Sequence, residues 1–290
     1  MGSTLAEAFP DLVTLSAPVF DHSWDSGTAT KITELPVMTS RNGYIEETYF
    51  EGSIIPIRDS DGMIGGFYNA TMEVTTQKVI ERRRAMLEKM DVPSKLHGGS
   101  TLASYIIEAL ESNPIDITMA LLYEIDEETM PSLCRVHLRG RIGVPEGHPI
   151  AVEEADLKSE EGLIPILRQA GTHILTLPVN EKFKGVEWCG FNEPSSHFSV
   201  VPIAVAERSF GFLVVGANSR RLIDELHISF MEYLGMKTSA IAASSTYYLT
   251  LMHISHMSYL LLTRFIRPST VKVNPEPLAL ESLRHIEEKA

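Results

Sequence analysis

The sequence predicts an α+β protein made of two units, each an antiparallel sheet with helices packed on it. Three observations carry this. At 290 residues the chain is long enough for two separate cores. Within each unit, strands with period-2 alternation follow one another or join as hairpins, with helical runs at the flanks, which is an antiparallel order. The stretch "DVPSKLHGGS", Asp91 to Ser100, carries Pro, Gly and Ser and reads as a linker between the units.

Residues 1–35 are weakly patterned and predict no element. "GYIEETYFEGSIIPI", Gly43 to Ile57, alternates at Tyr44, Thr48, Phe50, Ile55 and Ile57 and predicts a strand. "MIGGFYNAT", from Met63, is its hairpin partner, and Asp61-Gly62 between them predicts a type I′ turn. "TTQKVIERRRAMLEKM", from Thr75, predicts a helix whose buried stripe is Val79, Ile80, Leu87 and Met90. Its basic run, Glu81 to Lys89, has acids near both ends and reads as a solvated face.

The second unit opens on "STLASYIIEALESN", an amphipathic helix with Ser100 or Thr101 as N-cap. "DITMALLYEID" is a buried strand and "SLCRVHLRG" its alternating neighbour. "IGVPEGHPIAVEEADL" reads as a Pro/Gly-rich loop, "EGLIPILRQAG" as a short helix and "HILTLPV" as a strand. A loop near "FKGVEWCGFNEPSS" leads to the apolar hairpin "HFSVVPIAV" and "RSFGFLVVGANS". "LIDELHISFMEYLGMKTSAIAAS" closes as a helix with Leu222, Leu226, Phe230 and Leu234 in line.

A net charge of −13 and a pI near 5.2 argue against a nucleic-acid partner, which needs clustered Lys and Arg for phosphates. Two cysteines, Cys134 and Cys189, make no disulfide framework and fit a reducing compartment. The opening "MGSTLAEAFPDL" has no basic n-region or apolar core, so a cytoplasmic protein is expected. Thr238 to Leu262 lacks Asp, Glu, Lys and Arg, but its hydroxyls and two histidines favour a buried helix over a membrane span.

"RNGYIEETYFEGSIIPIRDSDGMIGGFYNATMEVTTQKVIERR", Arg41 to Arg83, resembles the C-terminal half of the PAS domain that precedes a GAF domain in bacterial and fungal sensor histidine kinases. "GVPEGHP", Gly143 to Pro149, with "VVPIAV" and "FGFLVVGANSRR", resembles the partner GAF domain. The resemblance spans roughly residues 5–247. It implies a partial PAS domain over 1–90, a linker over 91–99, a GAF domain over 100–247 and a helical or irregular tail over 248–290. It further implies a chain truncated at both ends relative to that family, with half a sheet left uncovered. The expected role is non-catalytic sensing within two-component-type signalling, relayed through interdomain helices. The expected partners are a second copy or a histidine kinase, and a small molecule in the GAF pocket. An alternative is a kinase relative acting by dimerisation alone, and a further one is a membrane-tethered sensor.

Candidate chemistry is sparse. Ser255-His256 is similar to the family's phosphoacceptor, but Met257-Ser258-Tyr259-Leu260 replaces the acid and Arg-Thr-Pro that follow it there. The missing carboxylate would orient the imidazole, so His256 reads as a helical His with phosphoacceptor as a minor alternative. His253 and His256 share a helical face but have no third ligand nearby, so no metal site is expected. No Gly-rich nucleotide motif, G-x-S-x-G, H-E-x-x-H or C-x-x-C is present. Glu46-Glu47 and Glu153-Glu154 are adjacent on strands and point to opposite faces, so neither is an acid/base pair. By the resemblance, His148, Trp188, Phe191 and Phe198 are the candidate ligand-pocket residues. A Pro-framed turn and core aromatics are the plainer account of the same residues. "NEKFKG" reads as a surface loop and Cys134 as a packed strand residue. No cofactor is proposed.

Overall fold

The computed structural model describes residues 7, 10–41, 43–91, 101–127, 134–205 and 208–244. Residues 92–100 of the expected linker, His253, Ser255, His256 and the tail fall outside the described residues, as does most of Thr238–Leu262. All described residues belong to one compact unit, Met1–Ser245. The fold is mixed α+β with two antiparallel sheets. Among the described residues no helix is long and apolar enough to cross a membrane.

The first sheet holds β1 (Thr30–Arg41), β2 (Tyr44–Arg58) and β3 (Ile64–Glu73) in that order, each antiparallel to the next. Helix α1 (Pro10–Ser26) lies against one face, where Phe20 meets Phe67 edge-on at 5.3 Å and Trp24 meets the same ring at 6.0 Å. Under that helix Ile54 is fully buried. Neither α1 nor β1 was expected. The register of β1 on β2 slips between Ile32 and Leu35, where Glu34 takes φ 52°. A bulge there swaps the parity of the buried positions, so Ile32 and Val37 point to one core while breaking the period-2 pattern.

The opposite face of this sheet is open, with Ile55 and Ile57 exposed beside Tyr68. The alternation of β2 therefore marks the outer face at Ile55 and Ile57, and Ile54 is the core residue. The β2–β3 turn also differs from the expected type I′. Gly62 donates to Asp59 O at 3.1 Å, and the Asp59 carboxylate accepts from the Asp61 and Met63 amides. Only Gly62, at φ 82°, enters the left-handed region; Asp61 does not. A type I′ turn needs both central residues there, and the Asp59 side chain stabilises the alternative four-residue turn.

Helix α2 (Thr75–Glu88) and a following 3-10 turn (Lys89–Asp91) lead from β3 toward the second sheet. That sheet contains β4 (Ala120–Glu127), β5 (Cys134–Ile142), β6 (Glu154–Asp156), β7 (Leu175–Pro178), β8 (His197–Val205) and β9 (Arg208–Gly216). Their order across it is β6-β5-β4-β9-β8-β7. Strand β6 lies within the stretch expected as loop, because three residues pair with the edge of β5. One face carries the end of α2, helix α3 (Leu102–Glu111) and a closing helix over residues 225–244, called α5 below. Thr101 is the N-cap of α3, accepting from the Ser104 amide at 3.1 Å. The other face carries loops and helix α4 (Ile164–Ala170).

Two expected stripes are adjusted. On α2 the buried residues are Thr75, Val79, Arg83 and Met86, while Ile80 is exposed. On α5, Phe230 and Leu234 are buried as expected, but Leu222 precedes the helix and is exposed.

Candidate functional site at the α2 junction

The basic run of α2 is not a solvated face. Helical spacing puts Arg82 and Arg83 toward the protein and Arg84 outward; their side chains are 19%, 8% and 77% exposed. Arg82 is the bridge. Its Nη1 donates to Glu47 Oε1 at 2.7 Å, and its Nη2 to Glu47 Oε2 at 3.2 Å. Its Nε donates to Asp116 Oδ2 at 2.7 Å. One guanidinium thus joins β2 of the first sheet to the turn that feeds β4 of the second. The fork geometry of Arg suits this double engagement, which a lysine could not reproduce.

Each carboxylate accepts from at least three donors. Glu47 also accepts from Tyr49 OH at 2.7 Å and Asn218 Nδ2 at 2.9 Å. Asp116 accepts from Asn113 Nδ2 at 2.9 Å and Arg83 Nε at 3.2 Å. The main chain ties the same parts, since the Glu47 amide donates to Arg220 O at 3.2 Å. Burial alone would push Glu47 and Asp116 up, but Arg82 and the other donors outweigh it and hold both below the usual carboxylate range. Tyr49 is pushed up to about 12 by burial and by the Glu47 carboxylate beside it.

Glu46, on the opposite side of β2, does the same for a second pair of arginines. It accepts from Arg41 Nε and from Arg221 Nη1, the latter at 2.8 Å. Arg41 meanwhile grips Glu73 with both Nη atoms, at 2.9 and 2.8 Å. The adjacent acids thus serve two different bridges, as their alternation requires.

Arg83 extends the network to α5. Its Nη1 donates to Leu226 O at 3.1 Å, and its guanidinium carbon stands 4.6 Å from the centre of the Phe230 ring. Desolvation lowers its pKa from the arginine norm. Close by, His227 is buried and its Nε2 meets Ser199 Oγ at 3.2 Å, which in turn meets Thr176 Oγ1 at 2.8 Å. Burial first, then the Arg83 charge, lowers the pKa of His227 to about 4, so the ring is neutral at pH 7.

The pocket residues expected from sequence are elsewhere. His148 accepts from the Ile150 amide at Nδ1 (3.3 Å), so its Nε2–H donates to Lys184 O at 3.0 Å. Trp188 and Phe198 are buried and meet through Phe183, whose ring centre lies 6.1 Å from one and 4.7 Å from the other. Phe191 stands apart from them, under Arg220 at 4.8 Å. The "NEKFKG" loop forms a 3-10 turn, Glu181–Phe183, capped by Asn180 and anchored by the buried Phe183. Cys134 and Cys189 are half-buried, and burial raises the Cys189 thiol. Among the described residues no group of three metal-ligating side chains converges.

Sequence reasoning missed Arg82, Arg83, Asp116 and Asn218. The available signal was three consecutive arginines, one helix away from the paired acids of β2. At 3.6 residues per turn, three consecutive positions span about 200° and cannot share one exposed face.

No family model matches the chain, and no curated protein matches it. Solved structures are similar to it. The GAF domain of an Acinetobacter phosphoenolpyruvate-protein phosphotransferase is 19% identical, over 58% of this chain and 95% of that one, with a TM-score of 0.39. Staphylococcus aureus fRMsr, in complex with substrate, is 14% identical over 55% and 94%, with a TM-score of 0.37. The phycoerythrobilin-bound GAF domain of a cyanobacterial phytochrome is 11% identical over 61% and 99%, with a TM-score of 0.39.

Proposed function

We propose that the chain is a non-catalytic sensory module, a partial PAS sheet joined through α2 to a GAF domain, that relays binding events in two-component-type signalling. The observation that carries this is the Arg82 bridge, which locks β2, α2 and the Asp116 turn into one unit. A helix held by buried charge at both flanks moves as a body, so a ligand with different affinity for two of its positions can bias the whole assembly. The carboxylates of the junction are held ionised by their donors, and the hydroxyl–imidazole pair beside it, Ser199 with His227, is buried, which suits transmission rather than acid–base catalysis.

Hydrogen exchange tests the relay. Glu47→Gln removes the charge that Arg82 grips on β2. Protection is expected to fall at residues 113–118 and 218–221, outside the mutated strand. A change confined to residues 44–58 overturns the reading.

A ligand of the GAF pocket, entering beside His148, would have to part Phe183 from Trp188 and Phe198. The module pairs with a second copy through the outward stripe of α5, where Ile228 and Met236 are 51% and 67% exposed. Sedimentation is expected to show a dimer that Ile228→Lys with Met236→Lys converts to monomer. A monomer at all concentrations in the unmutated chain removes this part of the reading. The same exposed stripe also suits a histidine-kinase subunit as a heterodimer partner, detected by co-purification.

A further inference from the structure

Parallel helices α2 and α5 enclose a groove of about 510 Å³, within the usual range for small-molecule sites. It runs from Ile80 along α2 and the 3-10 turn after it to Asp91, roughly 18 Å at the helical rises. Leu87, Leu226, Phe230 and Tyr233 give it an apolar lining. At its rim the charges are already matched: Arg84 pairs with Glu88 at 2.7 Å and Lys237 with Asp91.

Arg83 also lines this groove, and one of its guanidinium nitrogens is unengaged. The residue is 7% exposed, so its guanidinium is cut off from most water. Nε and Nη1 are engaged by Asp116 and the Leu226 carbonyl. Nη2 has no hydrogen-bond partner among the described residues, and it is not one of the side-chain atoms sealed away without a partner. Arg83 is one of the residues that line the groove, so the groove is the opening beside it. Among the described residues Arg83 pairs with Asp116, which it shares with Arg82, and Asp224 acts on it from further away. A buried cation with an idle N–H pair beside an apolar channel is a recognition element for an anion with an apolar body.

We propose that this groove binds an amphipathic carboxylate, its anionic group on Arg83 Nη2 and its apolar body along Leu87, Phe230 and Tyr233. A single negative charge suits the site, because Arg83 offers it one unengaged nitrogen, Nε and Nη1 being taken by Asp116 and the Leu226 carbonyl. The groove length suits an extended chain of lipid size. Occupancy would fill the space between the helix that leaves the first sheet and the helix that closes the second. This supplies an input to the relay proposed above and rests on that reading for its consequence, though not for the binding itself.

Calorimetric titration of the full chain with dodecanoate tests the site. Saturable one-to-one binding below the micellar range is expected, with dodecanol (the same body without the charge) at least about tenfold weaker. Arg83→Lys keeps a cation but lacks the second Nη, and is expected to weaken dodecanoate about tenfold. Tyr233 is 58% exposed, so Tyr233→Glu leaves the fold intact while placing a like charge in the channel; it is expected to abolish binding. Equal binding of dodecanol, unchanged binding in Tyr233→Glu, or binding only in the micellar range overturns the proposal. Hydrogen exchange on the dodecanoate complex separates site from relay. Specific binding that leaves residues 44–58 and 113–118 unchanged upholds the site and counts against the relay alone.

Discussion

Arg82→Ala should destabilise the folded chain by about 3–5 kcal/mol, the cost of breaking a buried ion pair from one side. Glu47 and Asp116 are 0% and 2% exposed, and Arg82 is the cation that both share. Removing it leaves Glu47 with only Tyr49 and Asn218 as donors, and Asp116 with Asn113 and the more distant Arg83. These neutral or partial partners do not offset the desolvation of two carboxylates. Denaturant unfolding measures the effect directly. A double-mutant cycle with Glu47→Ala should return a coupling energy of about 1–3 kcal/mol, because the two side chains touch. A loss below about 1 kcal/mol for Arg82→Ala would place the bridge with ordinary solvated ion pairs, and the junction would not be the rigid element described above.

The second large effect is a loss of stability on acidification through the histidine range. His227 titrates near 6.5 in an unfolded chain and at about 4 in the folded one. Above pH 6.5 the ring is neutral in both states and contributes no pH dependence. Between 6.5 and 4 the unfolded chain takes up a proton that the folded chain refuses, so stability falls with pH, by about 3 kcal/mol across the window. Below that window both states are protonated and this loss stops growing. Glu47 and Asp116 then act in the same direction. Their lowered folded pKa values confer stability above the ordinary carboxylate range, which is lost as pH falls through those values. His227→Gln, which keeps an amide to meet Ser199, should flatten unfolding free energy between pH 6.5 and 4. It should leave the steeper acid limb in place. An unchanged slope in the variant would assign the pH dependence to other groups.

The second sheet was largely legible in the sequence, and the reason is local. Strands such as β4, β8 and β9 are short apolar runs with turn signals at their ends, and α3 carries its own cap at Thr101. Such elements are specified by neighbours in the chain. The first sheet was half legible. Strand β2 and its turn toward β3 carried their pattern, but β1 is broken at Glu34 by a bulge that inverts its parity. The candidate pocket aromatics were legible as apolar and ring-bearing. Their division between a packed cluster around Phe183 and a cation–π contact at Arg220 was not, because it depends on loops that meet only in three dimensions.

The sequence by itself determined an acidic α+β chain with an Asp-Gly turn, an apolar closing hairpin and a helix between two sheet-forming halves. Those properties follow from composition and from the periods of 2 and 3.6 that the backbone imposes on side chains. Only the tertiary structure decided what the three arginines of α2 do. Arg82 finds acids 35 residues before it and 34 after it, and Arg83 reaches a carbonyl 143 residues on. A charge run looks solvated in one dimension because its partners are distant in the chain. Burial reverses that reading, since a cation removed from water must be matched by whatever carboxylates the fold delivers to it.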